Sequence, residues 1–401
     1  MPNLSMTTEH LYGAHNYEPM PVVLVKGKGV YVWDDQGKQY MDMMGAYSAV
    51  SHGHCHPKLV QALQSQASQL NIVSRAFYTD KLSSFLAYAC QFSGFDKALP
   101  MNTGAEAVET ALKAARKWAY TVKNVPENQA EIIVCAGNFH GRTISIISMS
   151  SEAQYRNGFG PFTPGFKIIP YDDESALEKA ITPHTAAFLV EPIQGEGGII
   201  VPKNGYLKTC ASICKKNNVL FICDEIQTGL GRTGKLFAYQ YEEIQPDAIL
   251  LGKALGGGLL PVSLFLSRKE VMDVFTPGDH GSTFGGNPLS ATVALLAMKI
   301  LQEENLIDRA FELGEYFQAK LKSLGSPLIK AVRGKGLLIG VEVQEKYSAH
   351  QLCLDLLAEG ILTKETHQTV IRFAPPLVIT ENQIDEAIEK INHVFQAALS
   401  N

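Results

Sequence analysis

Between about residue 98 and residue 290, short apolar runs alternate with segments of helical period, the pattern of a parallel sheet covered by helices. Four runs predict strands, at 132–135, 187–190, 219–223 and 248–251. Each gives way at once to polar residues or glycine: Gly137-Asn-Phe-His-Gly-Arg142, Glu191-Pro-Ile-Gln-Gly-Glu196, Asp224-Glu-Ile-Gln227 and Gly252-Lys253. Ligands of open α/β sheets lie beyond the carboxyl ends of the strands, so these four segments are expected to line one site. Thr103-Gly-Ala-Glu106 predicts a helix start, with Thr103 as cap and Glu106 completing a capping box, and the helix runs to about Trp118. Beyond residue 290 the pattern reads as one long helix, a strand from Arg333 to Glu342, then a helix–strand–helix ending. The expected organisation is a large domain at 46–290 and a smaller α+β domain at 291–401, to which the segment 1–45 adds strands.

Composition changes little in this picture. A chain of 401 residues, 46% hydrophobic and 19% charged, is ordinary for a globular protein. Its net charge of -5 comes without a basic tract, which argues against nucleic acid as a partner. No stretch reaches the roughly 18 apolar residues needed to span a bilayer, and residues 1–10 show neither an apolar core nor a run of arginines. The seven cysteines are scattered and read as buried thiols in a reducing compartment, so a cytoplasmic location is expected.

The candidate chemistry sits at the strand ends. Lys253 follows an apolar strand and precedes a glycine run. Burial there would lower its pKa from about 10.4 toward the range where a free amine attacks an aldehyde; a surface lysine in a turn is the plainer alternative. Asp224 ends the preceding strand and faces the same cleft. A buried carboxylate needs a cation, which a protonated pyridine nitrogen would supply, although Asp-Glu after a strand would serve magnesium equally. The helix start at Thr103, Gly104 and Ala105 suits a phosphate, and Gly281-Ser-Thr-Phe-Gly-Gly286 offers Ser282 and Thr283 as further contacts. An ordinary capped helix explains the first equally well.

Two motifs mislead. Gly229-Leu-Gly-Arg-Thr-Gly234 matches G-x-G-x-x-G, but five residues separate it from the strand, no clean amphipathic helix follows, and Leu236 stands where a P-loop has Ser or Thr. His52-Gly-His-Cys-His56 resembles a metal cluster, yet histidines in one short turn cannot easily aim at one ion, and a structural turn is the expectation.

Taken together, Asp224-Glu-Ile-Gln-Thr-Gly229, Gly231-Arg-Thr-Gly234, Gly252-Lys253 and Gly281-Ser-Thr283 resemble the class III aminotransferases, pyridoxal 5'-phosphate enzymes of fold type I. The similarity runs from Tyr12-Gly-Ala-His-Asn-Tyr17 to Ile371-Arg-Phe-Ala-Pro-Pro376 and implies a mostly parallel seven-stranded sheet. It implies that Lys253 bonds the cofactor and shuttles a proton, that Asp224 meets the pyridine nitrogen, that Gln227 contacts the ring hydroxyl and that Phe139 stacks on the ring. Thr103, Gly104, Ala105 and Ser282 would hold the phosphate, with Thr283 reaching the phosphate of a neighbouring subunit, hence a homodimer. The ornithine-type members are the most similar. They imply L-ornithine and 2-oxoglutarate as substrates, with N-acetylornithine or another ω-amino acid as the alternative donor. By the same resemblance Tyr17, Tyr47 and Arg142 hold the far end of the donor, and Glu196 masks Arg372 until the dicarboxylate arrives. His140 departs from the pattern, standing where tryptophan is expected, and is read as altering a wall of the substrate pocket; Gly197-Gly198 and Gly256-Gly257-Gly258 make their loops richer in glycine.

Overall fold

The computed structural model describes residues 3–400. Its centre is a seven-stranded sheet in the order Lys97–Met101, Ser263–Ser267, Ala248–Leu251, Leu220–Asp224, Thr185–Val190, Glu131–Cys135, Phe166–Ile169. Only Ser263–Ser267 runs against its neighbours; the other pairings are parallel. The interior strands carry no polar alternation because helices cover both faces: every residue of Thr185–Val190, Leu220–Asp224 and Ala248–Leu251 is buried. One face packs against Gly104–Thr121, whose Ala107, Ala111, Ala114 and Ala115 bring that helix close to the sheet.

Two four-stranded sheets flank it. Leu24–Lys28, Tyr31–Asp34 and Gln39–Asp42 form a meander that is joined in parallel by Ile361–Leu362 from the far end of the chain. The other is Ile329–Lys335, Leu338–Val343, Val370–Phe373 and Lys364–Thr366. No helix among the described residues is long and apolar enough to cross a membrane.

Two sequence expectations need correction. The single strand across 333–342 is a hairpin, because Gly336 takes a φ of +52° and turns the chain between Lys335 and Leu338. Glycine is required there: a Cβ at Gly336 would lie 2.4 Å from the carbonyl carbon of Thr233. The long helix after residue 290 is two, Pro288–Glu303 and Leu306–Ser323, broken at Asn305, whose φ of +50° is a left-handed conformation that asparagine tolerates. The cysteines also divide, since Cys55 is exposed and Cys90 half-buried while the other five are buried.

Candidate active site

The four strand-end segments converge on one cavity of about 200 Å³, lined by Gly104, Ala105, Phe139, His140, Glu191, Glu196, Asp224, Gln227 and Lys253 among others. Lys253 opens a short 3-10 turn, Lys253–Gly256, with a left-handed φ of +44°. A non-glycine residue in that region costs about 1–3 kcal/mol and persists only where its surroundings force it. Burial pulls the Lys253 amine below its ordinary pKa, while the charges of Glu196 and Asp224 oppose the shift.

Asp224 ends its strand at 4% exposure and accepts the Ile226 N–H at 3.1 Å. Its other oxygen meets His140 Nδ1 at 2.6 Å. Burial alone would lower the His140 pKa, but the hydrogen bond and charge of Asp224 outweigh it and the net shift is upward. His140 is therefore bound to Asp224 through a fully buried side chain, and the same residue lines the cavity. Glu191, which the sequence reading left without a role, accepts the N–H groups of Phe139 at 3.0 Å and Gly195 at 3.3 Å, so it ties two of the converging loops.

Burial raises the Glu191 carboxyl to about 7; the Asp224 charge adds to this and His140 opposes it. Between its ordinary pKa near 4.5 and about 7 the folded state holds a proton that the unfolded chain has released, so stability falls as pH rises through that window. Thermal melts of Glu191→Gln are expected to lose this component, leaving Tm flatter than the parent's between pH 5 and 7; parallel curves would exclude it.

A second cluster lies on the substrate side. Glu196 Oε1 receives Arg372 Nη1 at 2.6 Å and Gln227 Nε2 at 3.1 Å, while Thr366 Oγ1 donates to the Glu196 carbonyl at 2.6 Å. Burial would raise the Glu196 carboxyl, but Arg372 and then Lys253 overcome it and the net shift is downward. The Arg372 guanidinium sits 4.9 Å from the Tyr47 ring. Tyr47 belongs to a left-handed turn in which Gly45, Ala46, Tyr47 and Ser48 have φ of 54°, 47°, 59° and 76°. Its hydroxyl pKa is raised by burial and by Glu196, with Arg372 and Arg142 opposing and Tyr17 close enough to contribute. Tyr17 itself is 76% exposed. Arg142 stacks 3.7 Å from the ring of Tyr155 and 5.3 Å from that of Phe139; no motif or spacing had pointed to Tyr155.

The helix start forms as read. Thr103 Oγ1 accepts the Glu106 N–H at 3.2 Å and Glu106 accepts that of Thr103 at 2.7 Å. With Thr103 committed to the cap, Gly104 and Ala105 face the cavity. Ser282 stands beside this terminus, accepting from Asn102 Nδ2 at 2.8 Å, and Thr283 is exposed. The histidines of 52–56 diverge: His52 bonds the Ala297 carbonyl, His54 Asp42 and His56 Glu304.

These groups suit pyridoxal phosphate: an 18-residue helix presents its amino end for a phosphate, Asp224 a carboxylate for the ring nitrogen, Phe139 an aromatic wall, and Lys253 an amine whose charge is disfavoured. Gln227 lines the same space, and among the described residues its buried Oε1 has no hydrogen-bond partner.

The sequence matches the family model described as Aminotransferase class-III over residues 12–395. It is 57% identical to an ornithine aminotransferase of Halalkalibacterium halodurans over 96% of each chain. The fold superposes with a TM-score of 0.97 on the ornithine aminotransferase of Toxoplasma gondii, a structure described as having partial occupancy of PLP, at 47% identity and covering 100% of this chain and 96% of that one. An acetylornithine aminotransferase from Elizabethkingia anophelis is similar at TM-score 0.90 and 49% identity over 98% of each chain.

Proposed function

This chain belongs to the class-III aminotransferases, and from that premise we propose that it moves the δ-amino group of L-ornithine to 2-oxoglutarate, giving L-glutamate 5-semialdehyde and L-glutamate. The cofactor is pyridoxal 5'-phosphate, and the fold is that of the type I pyridoxal-phosphate enzymes. The observation that carries the choice of substrates is the closed Glu196–Arg372 pair beside Tyr47, at the edge of the cavity that Lys253 lines.

Gly104, Ala105, Thr103 and Ser282 would hold the phosphate, Asp224 and Gln227 the ring nitrogen and hydroxyl, and Phe139 the ring face. When bound, pyridoxal phosphate supplies an electron sink that acidifies the hydrogen beside the transferred nitrogen. Lys253 Nζ takes that proton and returns it, a role favoured by the downward shift that burial gives its amine. Tyr17, Tyr47 and Arg142 hold the α-carboxylate and α-ammonium of ornithine, leaving the δ-amine to reach inward; arginine offers a two-point grip on a carboxylate. Glu196 neutralises Arg372 while the cation-ended donor is present, then swings away so that Arg372 binds a carboxylate of 2-oxoglutarate. Thr283 serves the partner's site in a homodimer, the small domain comprises residues 1–45 and 291–401 around the large domain at 46–290, and the enzyme is cytoplasmic.

Glu196→Ala tests the switch. Unmasking Arg372 should raise kcat/KM for α-amino donors such as L-glutamate roughly tenfold relative to L-ornithine, one charge-assisted contact being at stake. An unchanged preference between δ- and α-amines would reject the switch. For the function as a whole, the purified holoenzyme should show its highest kcat/KM with L-ornithine when L-ornithine, N-acetylornithine and 4-aminobutyrate are compared. N-acetylornithine as the best donor would reassign it.

A further inference from the structure

The glycine run Gly229-Leu-Gly-Arg-Thr-Gly234 has no part in this chemistry, yet Arg232 within it is completely buried. Its Nη1 donates to the carbonyls of Leu337 at 2.9 Å and Pro375 at 2.6 Å, and its Nη2 to Ser51 Oγ at 3.2 Å. Burial brings its pKa down to about 9, opposed by the charge of Asp42, so at neutral pH it remains a cation held by neutral oxygens.

Each acceptor belongs to a segment that carries part of the substrate cluster. Pro375 lies three residues after Arg372 on the same chain segment. Leu337 is in the hairpin turn whose strand Leu338–Val343 places Gly340 opposite Arg372. Ser51 closes the Tyr47 turn, donating from its Oγ to the Ser48 carbonyl at 3.3 Å, while its backbone carbonyl accepts the Leu377 N–H at 2.8 Å. That turn has three consecutive non-glycine residues with left-handed φ, which L-residues adopt only when docking forces them to. The docking is close: a Cβ at Gly45 would meet the Ala374 carbonyl oxygen at 2.6 Å.

We propose that Arg232 is a positioning residue for donor selectivity, fixing the strained Tyr47 turn against the strand of Arg372 through Ser51, Leu337 and Pro375. Because Arg232 touches no substrate, it acts only through the placement of Tyr47 over Arg372. The proposal rests on the reading of Tyr47 as a donor contact.

The test compares the parent, Ser51→Ala, Arg232→Lys, Tyr47→Ala and the double variant Tyr47→Ala/Ser51→Ala as holoenzymes, with L-ornithine and 4-aminobutyrate as donors. Ser51→Ala and Arg232→Lys are expected to raise KM for L-ornithine and to lower the L-ornithine to 4-aminobutyrate ratio of kcat/KM roughly tenfold, as displaced positioning groups do. Their kcat should stay within about twofold of the parent. In the Tyr47→Ala background, Ser51→Ala should move the ratio no further. A merely structural role would lower Tm and kcat for both donors together and leave the ratio unchanged, which would overturn the proposal. A Tyr47→Ala ratio equal to the parent's would reject the reading of Tyr47, and the Arg232 proposal with it. A shifted Tyr47→Ala ratio beside an unchanged Ser51→Ala ratio would reject the role of Arg232 alone. If Arg232→Lys does not fold, Ser51→Ala, which removes one surrounding oxygen, decides the question.

Discussion

Lys253→Ala is expected to lower kcat/KM for L-ornithine by about 10⁴-fold, the upper end of what a positioned proton carrier supplies, because the same amine is also the proposed cofactor anchor. The fold should survive. Lys253 heads a short turn whose neighbours Ala254, Leu255 and Gly256 are buried, and alanine removes a side chain whose burial as a cation is itself unfavourable. Far-UV circular dichroism should therefore match the parent. A small primary amine added to the assay should restore part of the rate, since it can occupy the space the lysine side chain leaves. Activity within tenfold of the parent, or a loss that tracks unfolding, would remove Lys253 from the chemistry.

The second large effect concerns Asp224. Asp224→Ala should lower kcat/KM by about 10²–10³-fold, the range seen when one preorganised electrostatic partner of a reaction centre is deleted. It should also destabilise the fold by about 3 kcal/mol, the low end for breaking a buried pair, because His140 can shed its proton instead of remaining an unpaired cation. His140 and Asp224 touch at 2.6 Å with side-chain exposures of 0% and 4%, so their effects must not add. Combining His140→Phe with Asp224→Ala should cost less stability than the two single changes summed, as a double-mutant cycle on thermal or urea unfolding would read. Additive losses would mean that the contact carries no coupling.

How much of this was legible in the residues depended on what each signal encodes. Strand ends followed by polar residues located Asp224, Lys253 and the Glu191–Glu196 loop, because a buried parallel strand leaves a strong apolar run and its carboxyl end is where the chain is free to present chemistry. The helix start at Thr103 was equally plain, since a capping box needs only residues three apart. Partners distant in the chain were not legible. His140 lies 84 residues from Asp224 and Glu196 lies 176 from Arg372; only resemblance suggested the second pair, and nothing suggested the first. Tyr155 and Arg232 were missed for the same reason, since stacking on Arg142 and reaching Pro375 are properties of the folded chain. The hairpin at 329–343 reads as one strand across 333–342 because its turn is only Gly336 and Leu337, too short to interrupt the pattern.

Borohydride reduction of the holoenzyme, followed by proteolysis and mass spectrometry, puts the bond between coenzyme and chain under direct test. A reduced phosphopyridoxyl adduct should appear on the peptide containing Lys253, be absent when L-ornithine is supplied without 2-oxoglutarate before reduction, and return once 2-oxoglutarate is added. An adduct on another lysine, or one on Lys253 that L-ornithine leaves in place, would contradict the assignment of Lys253 as the residue through which this protein transfers an amino group.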